Sequence, residues 1–175
     1  MKSLDGQTLR RLFSLLNDEL ARTKTKAELY VVGGAVMCLA YNARPSTQDV
    51  DAVFKPVAQV RAAADRVAKR TGVATHWLND GVKGFLSSQG EFAPFMEFDH
   101  LRVMIAQPEY LLAMKCLAMR IGAEFHDEDD VRYLLRHLDL PTYAQAVAVI
   151  GRYYPLARFP QKTLYALAEL LPEKQ

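Results

Sequence analysis

Residues 30–54 read YVVGGAVMCLAYNARPSTQDVDAVF, and the order of patterns inside them decides the fold. The apolar run ELYVV at 28–32 stops at Gly33-Gly34, which predicts a buried strand entering a turn. AVMCLAYN at 35–42 predicts a helix directly behind the glycines. Pro45 discourages helix at its own position and constrains the residues before it, so NARPST at 42–47 reads as a loop. Gln48 to Phe54 then alternates polar and apolar, the pattern of a half-buried strand. Side chains two apart on a strand share a side, so Asp49 and Asp51 point together while Val50, Ala52 and Phe54 enter the core.

This order has chemical content. Two glycines between strand and helix let the backbone turn tightly and let a ligand come close. The first N–H groups of the following helix have no partner inside it, so turn and helix start together make a seat for phosphate. A tight turn with no ligand is the alternative. Two carboxylates on one side repel each other unless a cation sits between them, and Mg²⁺ takes oxygen ligands and bridges carboxylates to phosphates. Two unrelated acids on a wet strand face are the alternative here. Arg44, Ser46 and Thr47 add a cation and two hydroxyls within reach. Arg44 is a phosphate partner, a clamp on the loop, or an ordinary surface arginine.

Outward from this centre, Leu9, Leu12, Phe13, Leu16 and Leu20 predict an amphipathic helix ending near Thr23. Pro56 opens another through VAQVRAAADRVAKR, stopping by Gly72. Residues 73–94 are mixed: VATHWL suits a strand, NDG a turn, and GFLSSQGEFAP a loop. FMEF and LRVMIA, separated by Asp99-His100, suit a hairpin. Pro108-Glu109 opens a helix through YLLAMKCLAMRIG, and VRYLLRHL, TYAQAVAVIGRYY and QKTLYALAELL add three more. The expectation is an α/β (α+β) fold. Residues 1–107 form the α/β core with its N-terminal helix and a small mixed sheet, and 108–175 form a C-terminal helical portion packed on it.

Lys115 stands out in the second half. Its helical neighbours Leu111, Leu112, Ala118 and Met119 are all apolar, so its stem lies in the buried face. A buried ammonium is costly without a partner. It either snorkels to water or reaches a carboxylate or phosphate. Asp127 is a candidate cap for the next helix, and Asp130 shares a face with Leu134 and Leu138. A Lys115–Asp130 contact close to the Asp49–Asp51 pair is expected.

Composition narrows the classes. The formal charge is +2, from 22 basic and 20 acidic residues, too even a balance to hold nucleic acid by net charge alone. A local basic groove is still open to Arg61, Lys69, Lys83, Arg102 and Arg152, each of which also suits an ordinary solvated surface. With 50% of residues hydrophobic the chain can fill a core, which argues against disorder. Cys38 and Cys116 lie in apolar runs and the histidines do not cluster, so neither a disulfide nor a structural zinc is expected. MKSLDGQTLRRL has no apolar signal core, and no run reaches the roughly eighteen apolar residues of a membrane span. A reducing, cytoplasmic setting without a membrane partner is expected.

With these motifs in hand, the chain resembles the nucleotidyltransferase superfamily, in particular the small bacterial proteins related to the AbiEii toxin. The resembling stretches are residues 30–54, WLNDGVKGF at 77–85, LRVMIAQPEYLLAMKCLAMR at 101–120 and HDEDDVRYLL at 126–135. The resemblance implies a nucleotidyltransferase-type fold and a nucleoside triphosphate substrate with Mg²⁺ or Mn²⁺. It implies transfer of a nucleotide to an RNA, protein or small-molecule hydroxyl, with a toxin–antitoxin pair and an antitoxin-like protein partner as candidates. It further implies that Gly33 and Gly34 hold the phosphates, that Asp49 and Asp51 bind the metals, and that Lys115 and Asp130 form a second cluster of the site. Two departures stand out. Ala35 occupies a position where many active relatives have serine. The third metal carboxylate is open between Asp80, Glu97 and Asp99, with Glu97, set among apolar residues on a strand, taken as the ligand. The alternative expectation is a weakly active or inactive nucleotide-binding or regulatory protein of the same fold.

Overall fold

Asp5 starts the first helix, because its carboxylate accepts the Thr8 N–H at 2.7 Å. In the computed structural model, which describes residues 2–171, this helix α1 runs Gly6–Arg22 and buries Leu9, Leu12, Phe13, Leu16 and Leu20. Strand β1 (Leu4–Asp5) precedes it. There follow β2 (Ala27–Val32), α2 (Gly34–Leu39), β3 (Ser46–Thr47), β4 (Val50–Lys55), α3 (Val57–Thr71) and β5 (Leu78–Asn79). Then come β6 (Phe92–Glu97), β7 (Leu101–Ala106) and the helices α4 (Pro108–Leu117), α5 (Asp127–His137), α6 (Tyr143–Ile150) and α7 (Gln161–Leu170). This is a mixed α/β fold with a small mixed sheet and flanking and C-terminal helices.

The main sheet has the order β5-β4-β2-β7-β6. β4 is antiparallel to β2, β7 is parallel to β2, β5 is parallel to β4, and β6 is antiparallel to β7. Leu29, Val31, Val50, Ala52, Phe54, Leu101 and Val103 are buried along one face. The other face, carrying Tyr30, Asp51, Val53 and Met104, is half-buried. That split is the period-2 alternation read from β4, now shared by its neighbours.

Several boundaries differ from the expectation. The helix behind the glycines ends at Leu39, and Asn42 takes a left-handed φ of 49° that no continuing helix tolerates. Ser46 and Thr47, expected in a loop, pair antiparallel with Asp5 and Leu4. From VATHWL only Leu78 joins a strand. Trp77 instead enters the core, where its ring N–H donates to the Ala64 carbonyl of α3 at 3.1 Å. β6 starts at Phe92, with a register shift between Pro94 and Met96, as suits an edge strand in which proline has no N–H to donate. α4 stops at Leu117, short of Gly122.

The chain divides into two units. The first runs through Gly84 and resumes over Phe92–Ala106, and the second takes Phe85–Glu91 and continues from Gln107. A cut at 107/108 misses the segment 85–91. The Ser87 N–H donates to the Tyr110 hydroxyl at 2.9 Å, and the Tyr154 hydroxyl donates to the Phe85 carbonyl, so the segment goes with the helices. Among the described residues no helix is long and apolar enough to cross a membrane. Cys38 and Cys116 are buried thiols not joined in a disulfide, and burial pushes the pKa of Cys116 up to about 12.

In the first unit, Glu19 of α1 is buried and accepts hydrogen bonds from Arg66 at 2.8 Å and Arg70 at 2.7 Å on α3. Burial alone would raise its pKa, but the arginine hydrogen bonds outweigh it and the pKa lies below the ordinary 4.5. A group depressed in the folded state contributes stability above its unfolded pKa and loses it as pH falls through the folded one. Urea unfolding should therefore show the advantage of wild type over Glu19→Gln shrinking as pH drops below about 4.5. A constant difference from about pH 6 to about pH 3 would remove the linkage.

Candidate nucleotide and metal site

Gly33 adopts φ 70° and ψ −153°, a backbone region that glycine enters without strain and other residues do not. The room at the two glycines is in use. A Cβ on Gly33 would stand 3.0 Å from Asp51 Oδ2. A Cβ on Gly34 would stand 3.0 Å from Thr47 Oγ1 and 3.2 Å from Arg44 Cζ. One glycine thus admits a carboxylate from β4, and the other admits a guanidinium and a hydroxyl from the segment around β3.

Strand register explains the carboxylate. Asp51 lies opposite Val32, the last residue of β2 before the turn. Asp49 stands just before β4, and its Oδ2 accepts a hydrogen bond from Asn79 Nδ2 at 3.0 Å. Its carbonyl accepts the Thr47 hydroxyl at 3.3 Å. Asn79 is itself the register partner of Asp51 across β4 and β5. Both aspartates are half-buried. Ser46 pairs with Asp5 in the two-stranded ribbon and is not among the atoms nearest the glycines.

Sequence reasoning missed Asn79, although it lies in the WLND stretch beside the candidate acid Asp80. Reading an amide as a partner for Asp49 needed the pairing of β5 with β4, which a strand of two residues barely signals. The helix behind the turn is also shorter than expected, six residues, so its dipole is small and Arg44 supplies the positive charge at this bend.

The third-carboxylate candidates separate cleanly. Glu97 pairs with Arg102, which pairs with Glu28 at the start of β2, whereas Asp51 pairs with Val32 at its end. That puts Glu97 about 13 Å along the strands and about 14 Å across them from Asp51. Glu97 is therefore corrected: it lies at the opposite end of the sheet, exposed, in an ion pair with Arg102 at 3.0 Å. Asp99 sits in the same hairpin turn, beyond β6. Asp80 follows Asn79 and lies at the right end, but it is bound by Lys83 at 2.6 Å and Arg61 at 2.8 Å. The Lys83 hydrogen bond holds the Asp80 carboxyl below the usual range. Among the described residues no group of three or more His, Cys, Asp or Glu side chains is placed to hold a metal. Three of the five groove cations, Arg61, Lys83 and Arg102, are thus engaged by acids, and the Arg152 guanidinium lies over the Tyr153 ring at 5.6 Å.

In the second unit, Lys115 Nζ meets Asp130 Oδ2 at 2.6 Å and Asp127 Oδ1 at 3.7 Å. Lys115 and Asp130 thus make the contact expected from helix periodicity. The cap assignment of Asp127 does not hold. His126 precedes the helix, and the Asp127 carboxylate accepts from the Arg120 N–H at 3.0 Å and Nε at 2.8 Å. Burial works against the Asp127 anion, yet those two bonds prevail and its pKa lies below the ordinary 3.8.

Gly33→Ala should cost about 1–3 kcal/mol through backbone strain and should also push on the Asp51 carboxylate. Gly72, at φ 74° with nothing within 4 Å of an added Cβ, gives the matched control. Both alanine variants should melt earlier, Gly33→Ala by more because its added Cβ also meets Asp51 Oδ2. Equal losses of melting temperature in both would show that the approach of Asp51 costs nothing. Compared with protein-family models, curated proteins and solved structures, the chain has no significant match.

Proposed function

We propose that the first unit is a nucleotidyltransferase-type domain that holds a nucleoside triphosphate with a divalent ion and transfers its nucleotide to a hydroxyl acceptor. One observation carries the reading: Asp51 and Arg44 converge on adjacent glycines of one bend. A metal–triphosphate complex requires both signs of charge side by side, acids for the ion and a cation for the phosphate oxygens.

The donor set suits Mg²⁺ or Mn²⁺. Both carboxylates offer hard oxygen ligands, and Mg²⁺ is commonly held by one or two carboxylates together with substrate phosphates. When bound, the ion would neutralise phosphate charge and lower the pKa of the attacking hydroxyl. Asp49 and Asp51 would hold it. Asn79 restrains Asp49 through its amide, and Arg44 would offset charge on the phosphate oxygens. The acceptor oxygen would bond to the α-phosphorus as the bond to pyrophosphate breaks, and the hydroxyl proton would be released.

A second reading, a nucleotide-holding regulatory protein without turnover, rests on Ala35. It is buried directly behind the glycines and offers no hydroxyl to phosphate. Incubation with labelled triphosphates, Mg²⁺ and RNA, protein or small-molecule acceptors separates the two. Incorporation that vanishes in an Asp49→Ala/Asp51→Ala variant supports transfer. Tight binding without incorporation supports the regulatory role, in which an antitoxin-like protein would be a natural partner. Neither binding nor incorporation would end both readings.

A further inference from the structure

Three arginines close on the buried carboxylate of Glu19: Arg70 at 2.7 Å, Arg66 at 2.8 Å and Arg22 at 3.6 Å. One carboxylate balances one guanidinium, so the cluster holds two positive charges beyond its internal pairing. The arginine side chains remain 68% (Arg22), 39% (Arg66) and 44% (Arg70) exposed, so their outer N–H groups face water. The cluster stands at the C-terminal ends of α1 and α3, where helix dipoles help to gather cations. Exposed Lys69 adds to it, and exposed Asp18 and Asp65 on the same helices offset part of it.

We propose that this cluster is a docking point for the phosphates of a nucleic-acid backbone. The guanidinium fork matches two phosphate oxygens at once. Glu19 already holds the forks in place, so less side-chain freedom is lost on binding. Among the described residues the large exposed apolar ones are Val57, Phe85, Ile121, Tyr143, Leu156 and Tyr165, none of them on α1 or the last turn of α3. A membrane-surface site would need such residues beside its cations. This inference is independent of the nucleotidyltransferase reading.

Salt titrations of a labelled single-stranded RNA oligonucleotide, followed by anisotropy with the full chain, test it, and a matched DNA probe separates the two polymers. An Arg22→Gln/Lys69→Gln variant spares the two short bonds to Glu19. It should bind on the order of tenfold more weakly near 0.1 M salt, with a log–log salt slope shallower by about 1.4. Wild-type affinity weaker than about 10⁻⁴ M at low salt, or an unchanged slope in the double variant, overturns the proposal. Binding to phosphatidylserine vesicles without binding to either oligonucleotide overturns it as well.

Discussion

Lys115→Met is expected to melt roughly 6–20 °C below wild type, the equivalent of about 3–5 kcal/mol. The lysine is 9% exposed and its ammonium faces carboxylates that are 3% and 7% exposed, so all three charges are largely out of water. Methionine fills the space of the stem but takes the 2.6 Å cation away from Asp130, while Asp127 keeps Arg120. Removing one partner of a buried pair leaves the other charge less compensated in a place poor in water, which costs more than the pair itself contributes. Adding Asp130→Asn should recover part of the loss, and a double-mutant cycle would measure the coupling. A Lys115→Met variant within about 1 kcal/mol of wild type would mean that the ammonium is effectively solvated.

The largest functional effect is expected at the aspartates. Asp49→Asn and Asp51→Asn preserve shape and remove only charge, so folding should persist, and on the proposed transfer reaction nucleotide incorporation should fall on the order of 10²–10³-fold for either. The two should differ in detail. Asp49 accepts from the Asn79 amide, and an asparagine there can keep that bond through its own carbonyl oxygen. Asp51 lies against Gly33 at the bend itself, so the charge lost there is the one nearest the glycine turn. Binding of the triphosphate in the presence of Mg²⁺ should weaken in both variants, most in Asp51→Asn. Full incorporation by both variants would place the chemistry elsewhere, whatever their stability.

How much of this was legible in the chain depends on the range of the interaction. The strand, glycine turn and short helix over residues 27–39, and the alternation from Val50 to Phe54, follow from neighbours only a few positions apart, because strand and helix periods act locally. The Lys115–Asp130 contact was legible for the same reason: Lys115 is the one cation in the apolar buried run of α4, Asp130 falls on the apolar face of α5, and a buried ammonium needs an anion. Glu97 looked well placed in sequence, since it sits between the apolar Met96 and Phe98 on an expected strand. Its location depends on β6 being the sheet edge and on the direction of each neighbour, none of which its own neighbourhood encodes.

The amino-acid sequence by itself determined the kinds of element, the candidate acids and the need for glycine at the bend, all properties of local sterics and periodicity. Tertiary structure alone decided that Arg44 and Thr47 close on Gly34, that Asn79 binds Asp49, that Arg61 engages Asp80, and that Arg66 and Arg70 reach Glu19. Those contacts join residues up to 51 positions apart. Which of many available charges come together is set by strand order and helix packing, and the free energy that chooses among them is spread over the whole core.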